Sequence, residues 1–212
     1  MINKTIFLPT LLSLCILCNS QKLPNITEAK KQIHEHYESG AFDQEVEDIL
    51  KNAWKNLKTI KPEENSVVII DIDETALSHY AYFKMMQFAK EESSFIKWKA
   101  LELSPAIAPV LRFYRRLVDH GFKVIFVSCR SEFLRESTIS NLKKVGYTYF
   151  ERVILRTPED KILPFWQYKK QTRAKLAKEG WDIVACIGDQ WSDLKGNNTG
   201  IKIKIPNYIL SE

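Results

Sequence analysis

Asp71 and Asp73 follow directly on the run Val67-Val68-Ile69-Ile70, and Glu74 and Thr75 come next. A run of β-branched apolar residues predicts a strand buried on both faces, as in the middle of a parallel sheet. Extended geometry carried two residues further puts Asp71 and Asp73 on one side of the chain as it leaves the sheet. Carboxylates paired at the carboxyl end of a central strand stand where open α/β sheets place their ligand sites, and they point to chemistry on a charged ligand. A solvated acidic turn would leave the isolated Ile72 and the immediate Thr75 without a reason.

Other apolar runs end in the same way. Residues 123–127 predict a second strand closed by Ser128-Cys129-Arg130, and residues 183–187 predict a fourth running into Gly188-Asp189-Gln190-Trp191-Ser192-Asp193. Lys169 falls on a helix predicted over residues 168–178. In a parallel sheet the carboxyl ends of all strands share one edge, so Asp71, Asp73, Ser128, Asp189 and Asp193 can converge there.

The remaining elements supply that sheet. Residues 26–58 read as helix broken at Ser39-Gly40, and Phe42, Val46, Ile49, Leu50, Ala53, Trp54 and Leu57 form an apolar stripe that must pack on the sheet. A helix over residues 110–120 stops at His120-Gly121, a normal helix end that asks no catalytic role of His120. Its start reads either at Ser104-Pro105 or at Ala108-Pro109. Further expectations are a short strand over 152–155 and an edge strand over 201–205. Strand and helix alternate throughout, which predicts an α/β fold with a parallel sheet. His34 and His36 read as solvated helix histidines, because no Cys or His stands at ligand spacing. The aromatics close behind the acidic motif read as the core of a small lid or as the lining of a substrate pocket, plain packing being the better reading for most of them, and Tyr80, Tyr82 and Trp191 are candidates to stack on a substrate ring.

With 212 residues, 45% of them hydrophobic and 27% charged, the chain is sized for one folded domain with a small appendage. Its net charge of +5 is spread without a basic run or an interleaved aromatic pattern, which argues against a nucleic-acid partner. Lys4 and the apolar run 6–18, followed by Asn19-Ser20-Gln21, read as a signal peptide over residues 1–20. The run is shorter than the about 20 residues a membrane-spanning helix needs. Cys18 has two readings, a lipid anchor in the manner of bacterial lipoproteins or simple cleavage near Ser20; Leu17 stands where the lipoprotein pattern has Gly, Ala or Ser. The chain is therefore expected to be exported, whether periplasmic, secreted or lipid-anchored at the envelope. Cys129 and Cys186 both end apolar runs and are expected to stay unpaired.

The ordered motifs resemble the haloacid dehalogenase-like (HAD) superfamily and, within it, the acid phosphatase subfamily that holds bacterial class C acid phosphatases and plant vegetative storage proteins. The matching residues are Asp71-Ile72-Asp73-Glu74-Thr75-Ala76-Leu77-Ser78, then Ser128-Cys129-Arg130 with Leu134-Arg135-Glu136 and Asn141-Leu142, then Tyr168-Lys169, then the block 188–194. His36-Tyr37-Glu38-Ser39-Gly40 and Lys204-Ile205-Pro206-Asn207 extend the resemblance over nearly the whole mature chain. It implies a Rossmann-like three-layer core over residues 66–212, with an N-terminal helical segment over 21–65 packed on it and a small helical insert after the first strand. It also implies hydrolysis of phosphate monoesters, with nucleoside monophosphates among the candidate substrates. Asp71 would be the nucleophile and Asp73 the proton carrier, Ser128 would hydrogen-bond a phosphoryl oxygen, and the Lys169 ammonium would, with the metal, keep Asp71 ionised. Magnesium would be held by Asp71, the Asp73 backbone carbonyl and Asp189, with Asp193 and Thr75 in support. Glu74 is left without a catalytic role, and Arg130 has two readings, a phosphate contact or a surface ion pair.

Departures from the family pattern are Cys129, where Gly is common, and His79, where Asn is common. They bear on substrate range. The family's sheet places the first strand between those that carry Cys129 and Cys186, beyond disulfide reach. Phosphoryl transfer to an alcohol acceptor, or a non-catalytic storage or surface protein on the same scaffold, are the alternatives.

Overall fold

The structure, a computed structural model, describes residues 23–210. The export signal and Cys18 lie outside the described residues. Five parallel strands, β1 (Ser66–Ile70), β2 (Lys123–Ser131), β3 (Arg152–Arg156), β4 (Asp182–Gly188) and β5 (Ile201–Lys204), form one sheet in the order β3-β2-β1-β4-β5. The acidic strand is thus central, with Ile70 opposite Phe126 of β2 and Ile187 of β4.

Alternation along β1 divides its side chains between two cores. Val68 and Ile70 join Val124 and Phe126 under the helices α2 (Ala41–Leu57), α5 (Ala108–His120) and α6 (Arg135–Lys144). Val67 and Ile69 face the other way and meet Ile125, Val127, Tyr168 and Leu176, the last two from α7 (Phe165–Lys178). Apolar residues on both faces are what the unbroken β-branched run required. The stripe of α2 is buried as its spacing predicts: Phe42, Val46, Leu50, Ala53 and Leu57 all enter the first core.

The preceding helix α1 (Ile26–Glu38) starts at an Asn25 cap, whose side chain accepts from the Glu28 N–H. His34 and His36 on it are half-buried and partnered, contrary to the expectation of solvated side chains. His34 Nδ1 lies 2.8 Å from the Tyr80 hydroxyl, and His36 Nε2 lies 3.1 Å from a Glu45 carboxylate. Aromatic packing against Phe88, Phe42 and Tyr208, invisible to local spacing, draws both rings inward.

After β1 the chain forms a small helical insert, α3 (Tyr80–Met85) and α4 (Glu92–Ala100), with its own core of Tyr82, Phe83 and Phe95. Tyr82 is therefore interior packing. Tyr80 stacks on Tyr37, ring centroids 4.7 Å apart, and its hydroxyl donates to Glu38. Both are withdrawn as substrate platforms.

Of the two readings for the start of the next helix, Ala108-Pro109 is correct; Gly121 ends it in a left-handed conformation (φ 103°) that suits glycine. Strand β2 runs on to Ser131, four residues past the expected end, through a register shift against β3 between Val127 and Ser131. Cys129 and Cys186 are free thiols on β2 and β4, with β1 between them.

Candidate active site

Asp71 is the first residue beyond β1, and its N–H still donates to the Ile187 carbonyl, 2.9 Å away on β4. That bond fixes the backbone at the sheet edge and leaves the side chain facing α7. There Lys169 Nζ donates to Asp71 Oδ1 at 2.7 Å and makes a second, shorter contact with Asp193 Oδ1. All three groups are buried. Asp189, just past β4, completes the cluster: one oxygen from each of Asp71, Asp189 and Asp193 lies within 4.8 Å of the others.

Every other contact of Asp189 and Asp193 fixes their orientation. Thr75 Oγ1 donates to Asp189 Oδ1 at 3.0 Å and accepts from the Asp189 N–H at 3.1 Å. Gln190 Nε2 and Asn207 Nδ2 each donate to Asp189 Oδ2 at 2.6 Å. Asp193 Oδ2 accepts from the Gln190 N–H at 2.9 Å, and Arg173 Nη1 donates to the Asp193 carbonyl at 2.7 Å. With both carboxylate oxygens engaged, Asp193 acts as a support for Lys169.

Burial drives the Asp71 carboxyl well above its ordinary range; Lys169 pulls it down, while Asp193, Asp189 and Asp73 push it up again. Asp189 is raised for the same reasons, burial first and then the charge of Asp193. Burial alone would lower Lys169, but Asp193 and Asp71 outweigh it and hold the ammonium charged. Three buried carboxylates against one ammonium leave a net negative pocket of hard oxygen donors. That donor set fits a divalent cation such as magnesium or calcium, which such ions prefer to nitrogen or sulfur ligands.

Gly188 is where this cluster tolerates no side chain. A Cβ there would stand 2.2 Å from Asp193 Oδ2. Gly188→Ala is therefore expected to push Asp193 off Lys169 and to cut turnover about 100-fold, the usual effect of losing a supporting contact at such a site. Steady-state kinetics on the folded variant checks this; activity within a factor of two or so of the parent would remove Asp193 from the account.

Asp73 lies in a different environment. Arg130 straddles its carboxylate, Nε donating at 3.0 and 3.1 Å to the two oxygens and Nη2 at 2.9 Å to Oδ1. His79 Nε2 makes a very short contact with the same Oδ1, and Ser128 Oγ approaches Oδ2 at 3.4 Å. Burial would raise this carboxyl too, but Arg130 and His79 outweigh burial and hold it well below the ordinary range. Of the two readings for Arg130, the surface ion pair does not stand: the guanidinium is buried and grips Asp73 itself, within the lining of the cavity that opens over the site. The signal was available, since Arg130 follows Ser128 by two residues along an extended strand and so shares its face.

His79 has no exposed surface, and its Nδ1 lies 2.9 Å from Ser104 Oγ, which also accepts from Trp98 Nε1 at 3.1 Å. Glu74 sits in a left-handed turn (φ 56°), buried, with Oε1 accepting the His79 N–H at 2.7 Å. Burial raises its carboxyl well above the ordinary range. That bond ties the acidic loop to the start of the insert.

A cavity of about 170 Å³ opens over these groups, lined by Asp71, Asp73, Lys169 and Asp189 on the core side and by Phe95 and Lys99 on the insert side. Phe95 and Phe165 are its aromatic walls. Trp191, 68% exposed, stands outside the lining. All seven side chains singled out in the sequence gather at the carboxyl edge of β1, β2 and β4 in two sets, Thr75, Lys169, Asp189 and Asp193 around Asp71, and Ser128 at Asp73. Arg130, His79, Gln190, Asn207 and Lys99 join them.

A family model described as "HAD superfamily, subfamily IIIB (Acid phosphatase)" matches residues 15–210. The chain belongs to this acid phosphatase subfamily. It is 33% identical over 189 residues to the stem 28 kDa glycoprotein of Glycine max, covering 86% of this chain and 72% of that protein. Acid phosphatase 1 of Solanum lycopersicum is 31% identical over 192 residues, covering 86% and 75%. Among solved structures, the class C acid phosphatase from Bacillus anthracis superposes with a TM-score of 0.72 over 87% of this chain and 86% of that one; at 19% identity the likeness is one of fold. As a subfamily IIIB member, the protein is a phosphomonoester hydrolase by class, with a buried aspartate cluster suited to the divalent metal that HAD phosphatases use.

Proposed function

We propose that the protein is an exported, magnesium-dependent acid phosphatase that hydrolyses phosphate monoesters through an aspartyl-phosphate on Asp71. The observation that carries this reading is the contact of Asp71 with Lys169 beside Asp189 and Asp193 at the carboxyl edge of the central strand. A phosphate monoester repels nucleophiles by its own charge, so attack requires that the negative charge of the phosphoryl oxygens be offset. The Lys169 ammonium supplies part of the opposing charge and the Ser128 hydroxyl a hydrogen bond. Magnesium, held by Asp71, the Asp73 carbonyl and Asp189, would supply the rest when bound.

In the first step an oxygen of Asp71 attacks phosphorus, the bond to the ester oxygen breaks, and the leaving oxygen takes a proton from Asp73. In the second, water attacks the same phosphorus, Asp73 takes its proton, and phosphate departs from Asp71. The Arg130 and His79 contacts keep Asp73 ionised before substrate arrives, ready for the second step. For the first, the negative charge of the bound ester beside it raises its hold on a proton, and an acidic medium supplies one. Export rests on the apolar run 6–18 and its polar end.

Release of phosphate from a chromogenic aryl ester by the mature protein tests the proposal, with and without a chelator. Activity should vanish on chelation and return with added magnesium. No release from aryl esters or nucleoside monophosphates would favour the storage reading, and phosphoryl transfer to an added alcohol in preference to water would favour the transferase.

A further inference from the structure

One of the cations that line the cavity over Asp71 is left without a carboxylate partner among the described residues. Its cationic lining is Lys90, Lys99, Arg130 and Lys169, and its anionic lining Asp71, Asp73, Glu92 and Asp189. Lys169 is engaged by Asp71 and Asp193, Arg130 by Asp73, and Lys90 by Glu92 at 3.1 Å on the exposed rim. Lys99 alone among these has no carboxylate partner among the described residues. It is only 8% exposed, and its Nζ lies over the Phe95 ring, 4.2 Å from the centroid. A cation over a ring face gains some attraction, but far less than an ion pair in the same setting. Lysines are almost never buried unless paired.

Two further features say what the partner is. Lys99 stands on α4 of the insert and lines the same cavity as Lys169, and of the surrounding carboxylates Asp73 acts on it most strongly. Asp73 is the group assigned to the leaving oxygen, so Lys99 faces the leaving half of the substrate, away from the phosphoryl oxygens. The cavity's about 170 Å³ lies below the roughly 300–1,000 Å³ common for pockets that enclose drug-sized ligands, which favours a short leaving group.

Resting on the phosphatase reading, we propose that Lys99, with Lys90 at the rim, forms a second anion subsite, and that the preferred substrates are compact phosphate monoesters carrying a second anionic group. The second anion, a carboxylate or another phosphate, neutralises the buried ammonium beside Phe95. A hydrogen-bonded charge pair of this kind contributes enough to raise kcat/KM about tenfold or more over a matched neutral ester.

The test compares 3-phosphoglycerate and propane-1,3-diyl bisphosphate with glycerol 3-phosphate, which keeps the size and lacks the second anion. The expected ratio of kcat/KM, two-anion over neutral ester, is about ten or more, and whichever of carboxylate and phosphate gives the larger ratio identifies the source of the anion. In Lys99→Gln the ratio should fall to within about twofold of one, mainly through KM for the two-anion ester, and in Lys90→Gln it should fall part of the way. A parent ratio near one overturns the subsite, as does a Lys99→Gln variant that loses activity on both kinds of ester equally. Absence of phosphate release from every ester, glycerol 3-phosphate included, would instead overturn the phosphatase reading beneath it.

Discussion

Asp71→Asn should abolish turnover, by at least about 10⁴-fold, while the protein stays folded. The amide keeps the shape and the bond from Lys169 but cannot form the acyl phosphate. Stability should hold or rise in the metal-free protein. Asp71 is one of three buried carboxylates around a single ammonium, and its carboxyl is pushed well above the ordinary range by burial and by Asp193 and Asp189. Keeping it ionised therefore costs folding energy that asparagine does not. Thermal unfolding without metal checks the second half of this expectation. A variant that unfolds several degrees lower than the parent would mean that Lys169 depends on Asp71 more than on Asp193.

The opposite balance is expected at Lys169. Lys169→Met should cut turnover about 10³-fold, since it removes a charged donor from the phosphoryl oxygens, and it should also destabilise the fold. The ammonium is buried between Asp71 and Asp193, and removal of one member of such a set costs about 3–5 kcal/mol, because the remaining charges are left unpaired. The defect has a definite pH sign. Asp71 already binds its proton more tightly in the folded state than an ordinary carboxyl does, and loss of the ammonium raises it further. A carboxyl raised on folding supports the fold while protonated in both states, and that support is lost as pH climbs from the unfolded value of about 3.9 through the folded value. The variant should therefore lie nearest the parent at acid pH and fall away toward neutrality. Unfolding curves across that range measure it; a defect independent of pH would show that Lys169 matters here through packing alone.

Asp71 was legible because the chemistry and the topology point the same way. The run Val67-Val68-Ile69-Ile70 fits only a strand with both faces covered, and a central parallel strand brings the residues after β1, β2 and β4 to one edge. Asp71, Asp189 and Asp193 needed nothing further. Lys169 needed the resemblance, since a lysine beside Lys170 on a helix is ordinary by spacing alone.

What stayed hidden depends on contacts between distant segments. Arg130 reaches Asp73 because β2 continues past a register shift to Ser131, so its place on the face of Ser128 could be read only once the strand was known to run that far. His79 is buried against Asp73 by the insert, through Ser104 and Trp98, and Lys99 is brought over the cavity by the same insert. The tyrosines were misplaced for the matching reason: a short helical insert needs its own core, and Tyr82 supplies it with Phe83 and Phe95. An aromatic cluster close behind an acidic motif serves packing before it serves binding.

The central claim is that Asp71 carries the phosphoryl group between ester and water, and rapid acid quenching during turnover of an ester labelled at phosphorus tests it most directly. Label is expected on the protein, stable to acid and labile to alkali, confined to the peptide that holds Asp71 and absent from Asp71→Asn. Phosphate release without labelled protein, or label that maps to Ser128 or His79, would contradict it.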